Sequence, residues 1–178
     1  MTAEPLPDSP LSRLGPPLLC LAAALACVAA PPILFYEDAV GYLSIGANLA
    51  AGRGYHSDTL RFPDLMTPPL YPALIALCCR LSLSPIVAAV AICAAAQALT
   101  VALLMALHRA VFGPRGVLVT GLCAAVCPNL AFCAALTLEP LFLCLAAAAA
   151  LVTLHALRAP TKTALALAAL GGTLLAMA

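Results

Sequence analysis

Charge is the scarcest property of this sequence. Only 8% of its 178 residues are Asp, Glu, Lys or Arg, while 65% are hydrophobic and the mean hydropathy is +1.10. Soluble domains carry roughly 25% charged residues. A water-soluble globule of this length would need far more polar surface to cover its core, so that class is excluded. A disordered chain, which needs low hydrophobicity, is excluded as well. The net charge of only +1 excludes a nucleic-acid binder and implies no bulk electrostatic partner. What remains is an all-α integral membrane protein.

Two further absences narrow the chemistry. Gln97 is the sole strongly polar side chain deep in an apolar stretch, and ionisable groups at mid-span are what a transporter half requires. The nine cysteines lack the partners that would give them a site. Cys123 and Cys127 are four apart on a helix, but no His or second pair completes a metal set, and the adjacent Cys78 and Cys79 give no disulfide framework. They read as small apolar residues within spans.

Charges and prolines divide the chain into apolar stretches. The spacing predicts spans over Leu14 to about Tyr36, Pro85–Leu107, Gly116 to about Leu136, Pro140–Leu157, and from Ala164 to the last residue, Ala178, which makes about five. Pro16, Pro17, Pro31 and Pro32 are expected near the two ends of the first span, where helices tolerate them. Pro69–Leu83 is too short to cross and is expected to lie in the interface. Residues 1–13 form a tail, residues 14–178 a transmembrane domain, and residues 36–83 a long outer loop. Arg13, Arg109, Arg115, Arg158 and Lys162 fall on one side, against Arg53, Arg61 and Arg80 on the other together with Glu37, Asp38, Asp58, Asp64 and Glu139. The positive-inside rule then puts the N-terminus in the cytoplasm of a multi-pass protein, with a bacterial inner membrane as the expected location. Arg13 and the apolar run after it also resemble a secretory signal peptide, but the run is longer than a usual signal core.

A loop as long as 36–83 in a compact membrane protein is usually functional. From Asp38 to Ala51 the pattern is that of a juxtamembrane amphipathic helix, with Val40, Leu43, Ala47 and Ala50 on one face and Gly52 as its stop. Asp38 is expected to cap it, with Glu37 acting on its dipole. Both could equally serve catalysis, since a cap holds its carboxylate in place. Glu139 stands in Thr137-Leu138-Glu139-Pro140, a short turn between two spans. It is either a helix-start anion with Thr137 as cap or a functional acid held at the membrane surface. Arg53, His56 and Arg61 could bind an anionic head group or simply meet solvent and lipid head groups. His108 and His155 read as interfacial anchors.

Four blocks in order, taken together, resemble the N-terminal part of the GT-C superfamily of polyprenyl-phosphate-dependent glycosyltransferases, in particular the lipid A aminoarabinose transferases and protein O-mannosyltransferases. They are Asp38-Ala39-Val40-Gly41-Tyr42 after the first span, Asn48-Leu49-Ala50-Ala51-Gly52-Arg53-Gly54-Tyr55, the Pro-rich Thr67-Pro68-Pro69-Leu70-Tyr71-Pro72, and Thr137-Leu138-Glu139-Pro140-Leu141-Phe142. In the family the acidic companion commonly follows the acid that stands four before the Tyr. Here Glu37 precedes Asp38 and Ala39 follows it.

The resemblance implies inverting transfer of a sugar from a polyprenyl-phosphate donor to the hydroxyl of a lipid, polysaccharide or protein acceptor at the outer face. It implies Asp38 as the base that activates the hydroxyl, with Glu139 as a second acid positioning the acceptor or a divalent metal, and Glu37 beside them. Arg53 and Arg61 would stabilise the leaving phosphate, with Tyr42, Tyr55 and His56 at the substrate and a hydrophobic groove beside the interfacial helix holding the isoprenoid. Two separated acids leave metal dependence open. Family members carry more spans, so the chain is expected to be an incomplete and inactive N-terminal portion. The alternative is a small non-catalytic accessory or binding subunit on the same scaffold, and the reading frame downstream of Ala178 discriminates the two.

Overall fold

The computed structural model describes residues 10–30, 37–59, 67–127, 133, 135–158 and 161–177. Among these residues every regular element is a helix: α1 (Pro10–Ala29), α2 (Glu37–Ala50), α3 (Leu70–Arg80), α4 (Pro85–Phe112), α5 (Val117–Ala125), α6 (Glu139–Arg158) and α7 (Lys162–Met177). Arg61 and Asp64, together with the side chain of Glu37, lie outside the described residues.

α4 is the central helix and packs against α1, α5 and α6, with α3 and α2 at one of its ends. Ser84 starts it as N-cap, its hydroxyl accepting the Val87 N–H at 3.3 Å, and Pro85 occupies the first helical position, where its missing N–H costs nothing. Its buried face is lined by small residues, Ala88, Ala89, Ala94 and Ala96, which let neighbouring helices approach closely. The two polar side chains buried there are satisfied within the bundle: Gln97 Nε2 donates to the Ala124 carbonyl at 3.0 Å and Thr100 donates to Ala96 at 2.8 Å. On α1 the buried Ala23 and Cys27 oppose an exposed stripe of Leu14, Leu18, Leu21, Leu25 and Val28, the face such a helix offers to lipid.

Among the described residues two helices, α4 and α6, are long and apolar enough to cross a membrane, and Arg13–Ala29 of α1 and Leu70–Arg80 of α3 are shorter apolar stretches. Of the five expected spans, these two are the ones established among the described residues. Within the predicted stretch Gly116–Leu136, α5 runs over Val117–Ala125, and Val126 closes it with an N–H bonded to the Leu122 carbonyl at 3.1 Å; residues 128–132 and 134 lie outside the described residues. At 1.5 Å per residue such a helix covers about 14 Å, half of a hydrocarbon core. The first span also differs: α1 starts at Pro10, ahead of the predicted boundary, and Pro16 and Pro17 sit inside it rather than at an end. Pro69–Leu83 gives the eleven-residue α3, a shorter apolar helix.

The helix order produces two ends. Arg13 starts α1, Arg109 lies in the last turns of α4, Arg115 in the turn before α5, and Arg158 ends α6. Gly15 of α1 lies against Leu118 of α5, and the Arg158 Nη2 donates to the Ala110 carbonyl of α4 at 2.7 Å, so these basic residues share one end. His108 is fixed there by the Thr120 hydroxyl and the Arg115 carbonyl, both at 2.8 Å.

At the other end α2 lies against α3. Their closest approach is at Gly46, where a Cβ would fall 2.5 Å from Ile75 Cγ2 and 3.3 Å from the Pro72 carbonyl. Gly46→Ala should therefore cost roughly 1–3 kcal/mol by overpacking, read as a lowered circular-dichroism melting temperature in detergent. An unchanged melt would show that α2 and α3 part without penalty.

Both of these helices end in the same way. The Gly52 N–H bonds to Leu49 and the Arg53 N–H to Asn48, with Gly52 at φ +73°. The Ser82 N–H bonds to Cys79 and the Leu83 N–H to Cys78, with Ser82 at φ +69°. These are Schellman endings, which favour glycine at the left-handed position. Ser82 carries a Cβ there, so Ser82→Gly should raise stability by about 1 kcal/mol in the same melting measurement. A lowered melting temperature would mean that the serine side chain has a role of its own.

Candidate active site

The end of the bundle opposite the basic residues holds both sequence-predicted acids. Asp38 is the second residue of α2, hence a first-turn carboxylate and not the expected cap, and it is exposed. Glu139 is the first residue of α6. The Phe142 N–H bonds to the Leu138 carbonyl at 2.9 Å, so Leu138 and not Thr137 holds the cap position. Glu139 is also exposed rather than buried, between the buried Thr137 and Pro140. In both cases the carboxylate stands in the first turn of its helix with its side chain exposed.

Tyr42 ties the two acids together. It stands one helical turn after Asp38, is buried, and packs edge-on against Tyr71 of α3 with ring centroids 5.3 Å apart. Burial raises its phenol pKa first, and the negative charges of Asp38 and Glu139 raise it further, with Tyr55 adding to the effect. Those charges reach Tyr42 from two elements far apart in sequence. The phenol consequently stays protonated, a hydrogen-bond donor at the edge of an acidic pair.

The turn before Glu139 is held by Tyr71, which sequence reasoning placed in a motif without giving it a role. Its hydroxyl donates to the Leu136 carbonyl at 3.1 Å and lies 3.5 Å from Cys93 Sγ. Burial, with Cys93 beside it, raises the Tyr71 pKa and keeps the hydroxyl a donor. Leu136 itself is buried with φ +54°, a left-handed conformation that bulky residues avoid. Such strain persists only where the surroundings over-determine it. Here they do so through the Tyr71 bond and the Leu136 N–H to Cys133 bond of 3.2 Å.

The predicted cationic residues Arg53 and His56 lie in the loop that follows α2. Asn48, fully buried near its C-terminus, gathers the following loop: its Nδ2 donates to the His56 carbonyl at 2.9 Å and to Asp58 Oδ2 at 3.2 Å, and its Oδ1 accepts Arg53 Nε at 2.8 Å. His56 Nε2 lies 3.5 Å from Asp58 Oδ1, the Asp58 N–H donates to Ser44 Oγ at 3.0 Å, and Tyr55 donates to the Thr67 carbonyl at 2.8 Å. Ten residues of helix put Asn48 about 15 Å from Asp38. Asp38, Glu139 and Tyr55 all bear electrostatically on Tyr42, whereas Arg53 and His56 lie in the loop after α2, tied to Asn48. Arg61 lies outside the described residues. Asn48, a polar residue in a pattern otherwise read for its apolar face, is the organiser that sequence reasoning missed. A buried amide with several acceptors and donors around it is legible only in three dimensions.

Between α2 and α3 runs a groove of about 400 Å³ lined by Leu49, Ala73, Leu74, Ala76 and Leu77, with Arg80 as its one charged wall residue. Among the described residues no three His, Cys, Asp or Glu side chains converge on a metal position.

Against known proteins, residues 66–177 match the family described as dolichyl-phosphate-mannose-protein mannosyltransferase. No curated protein and no solved structure matches at a significant level.

Proposed function

The chain belongs to the dolichyl-phosphate-mannose-protein mannosyltransferase family, a GT-C type of membrane glycosyltransferase, and from that premise we propose that it transfers a sugar from a polyprenyl-phosphate donor to an acceptor hydroxyl at the outer membrane face. The convergence of Asp38 and Glu139 on Tyr42 carries this reading. Asp38 is the general base: it takes the proton of the acceptor hydroxyl as that oxygen attacks the anomeric carbon and the polyprenyl phosphate leaves from the opposite side. Glu139 positions the acceptor, and Glu37 is the accessory acid. Tyr42 and Tyr55 line the substrate side. A divalent metal, where one is used, would sit between the two acids.

Arg61 is assigned to the donor phosphate, where a cationic group offsets the charge that develops on the leaving oxygen, while Arg53, held on Asn48 about 15 Å along α2 from Asp38, and His56 are assigned to the donor's surroundings away from that oxygen. The groove between α2 and α3, apolar and closed by Arg80, suits an isoprenoid chain lying in the interface. The N-terminus is cytoplasmic in this reading, since the end bearing Arg13, Arg109, Arg115 and Arg158 is the basic one.

A diazirine-bearing polyprenyl phosphate, photolysed with the protein in lipid vesicles, tests the assignment. Crosslinks should fall on the peptides holding Leu49 and Ala73–Arg80, and unlabelled polyprenyl phosphate should compete them away. Labelling spread over the lipid-facing Leu14–Val28 stripe and insensitive to the competitor would reject the groove.

A further inference from the structure

The exposed stripe of α1 is narrower than contact with lipid alone demands. Between Leu14 and Val28 the helix has six leucine or valine side chains. Five of them, Leu14, Leu18, Leu21, Leu25 and Val28, stand on the stripe, each between 55% and 60% exposed. The sixth, Leu19, packs at Gly121 of α5. The outward positions beside the stripe hold the small Ala22, Ala26 and Ala29. Steps of four, three, four and three residues separate the five, which fill positions d, a, d, a and d of two heptads. Lipid has no register and covers a wide arc of a helix. A stripe confined to a and d is instead the seam along which a second helix packs. Within the chain α1 meets α4 and α5, and Ala23 and Cys27 are buried on the face away from the seam.

We propose that this seam is the interface with a second copy of the chain, two α1 helices packing side by side as a parallel pair. Every copy of a multi-pass protein inserts in one orientation. A two-fold axis along the membrane normal therefore brings α1 against α1 in parallel and in register, and each a or d side chain meets its own equivalent. The flanking positions e and g hold Gly15, Ala22, Ala24 and Ala29, small enough for the two backbones to approach closely. No charge lies in the seam, and Arg13 stands at the outer position c. At about 100 Å² for each seam side chain, two copies together bury on the order of 1,000 Å², the size at which a specific interface begins. Inside a bilayer the gain is van der Waals packing of interlocking side chains, which a fluid hydrocarbon tail matches poorly. With α4 and α5 already against α1, the seam has room for one further helix, so the assembly closes as a dimer. The dimer uses only the seam and the common orientation of the copies, and it stands apart from the sugar-transfer assignment.

Cysteine crosslinking of the full chain in its membranes tests this. Leu21→Cys and Leu25→Cys lie on the seam, and Ala26→Cys lies beside it. After oxidation with copper phenanthroline, each seam variant should give a reducible band at twice the chain mass. The band should exceed that of the wild type, whose nine cysteines are all retained, and Ala26→Cys should match the wild type. In vesicles, energy transfer between donor- and acceptor-tagged copies should survive dilution with lipid. The double variant Leu21→Ala, Leu25→Ala should weaken that association by at least about tenfold with an unchanged circular-dichroism spectrum. Seam variants that crosslink no more than the wild type would leave the stripe to lipid and overturn the proposal. A crosslink at Ala26→Cys as strong as those on the seam, a band at any other mass, or energy transfer indifferent to the double variant would overturn it as well. The crosslinking pattern decides the matter even if the double variant fails to insert.

Discussion

Replacing Asp38 by asparagine should lower sugar transfer by at least about 100-fold, the lower bound of what a positioned general base contributes. The amide is nearly isosteric but cannot take the acceptor's proton. Asp38 is exposed in the first turn of α2, and the turns around it are built by other residues, so Asp38→Asn should insert into membranes and melt like the wild type. The loss should therefore appear in kcat, with donor crosslinking in the α2–α3 groove retained. Glu37→Gln should be milder, because Asp38 is the acid one turn before Tyr42 and Glu37 is its neighbour on α2. Retained turnover in Asp38→Asn would remove Asp38 from the catalytic role, and equal losses in both variants would mean the two acids were assigned in the wrong order.

The second large effect should come from a residue that never touches substrate. Tyr71→Phe deletes the hydroxyl that reaches the Leu136 carbonyl and leaves that buried acceptor unpaired, at a cost of about 1–3 kcal/mol. The cost falls on a backbone already held at φ +54°. The turn should relax, and Glu139, three residues on, should shift away from Tyr42. The expected signature is a fall in kcat of roughly tenfold, from a misplacement on the order of 1 Å, combined with a lowered melting temperature. Cys93→Ala touches the same hydroxyl from its other side and leaves the Leu136 bond intact, so it should retain most activity. A Tyr71→Phe protein with wild-type turnover would show that the turn holds its shape without that bond.

The sequence reveals the helices wherever local chemistry decides them. Ser84-Pro85 marks the start of α4 by cap and proline, Gly52 marks the end of α2 by its left-handed backbone, and Glu139-Pro140 marks the start of α6. It misleads where continuity of apolar residues stands in for helix. Gly116–Leu136 reads as one span because no charge interrupts it, yet α5 closes at Ala125, and hydropathy carries no information about where backbone bonds stop. Pro16 and Pro17 mislead in the opposite sense. A proline is a helix breaker only if the carbonyl one turn back needs its N–H, and near the beginning of α1 tertiary contacts with α4 and α5 carry the helix through. The acids of the candidate site were legible by type and position. The residues that hold them were not, because Tyr71, Leu136 and Asn48 act through long-range or backbone partners that no local pattern encodes.

The contact from Arg158 to the Ala110 carbonyl has a consequence for how the orientation signal is stored. Basic residues at a membrane face are usually counted as point charges, for which lysine serves as well as arginine. Here one of the counted charges also closes a helix: its guanidinium supplies a donor to the last turns of α4, where carbonyls have no partner within the helix. In the proposed topology the same guanidinium thus contributes to the orientation signal and supplies a donor to the end of the central helix. Lysine at 158 would preserve the first property and weaken the second, since its ammonium lacks the planar fork and is more strongly hydrated. Orientation signal and helix termination thus meet in one side chain, and lysine at that position would separate them.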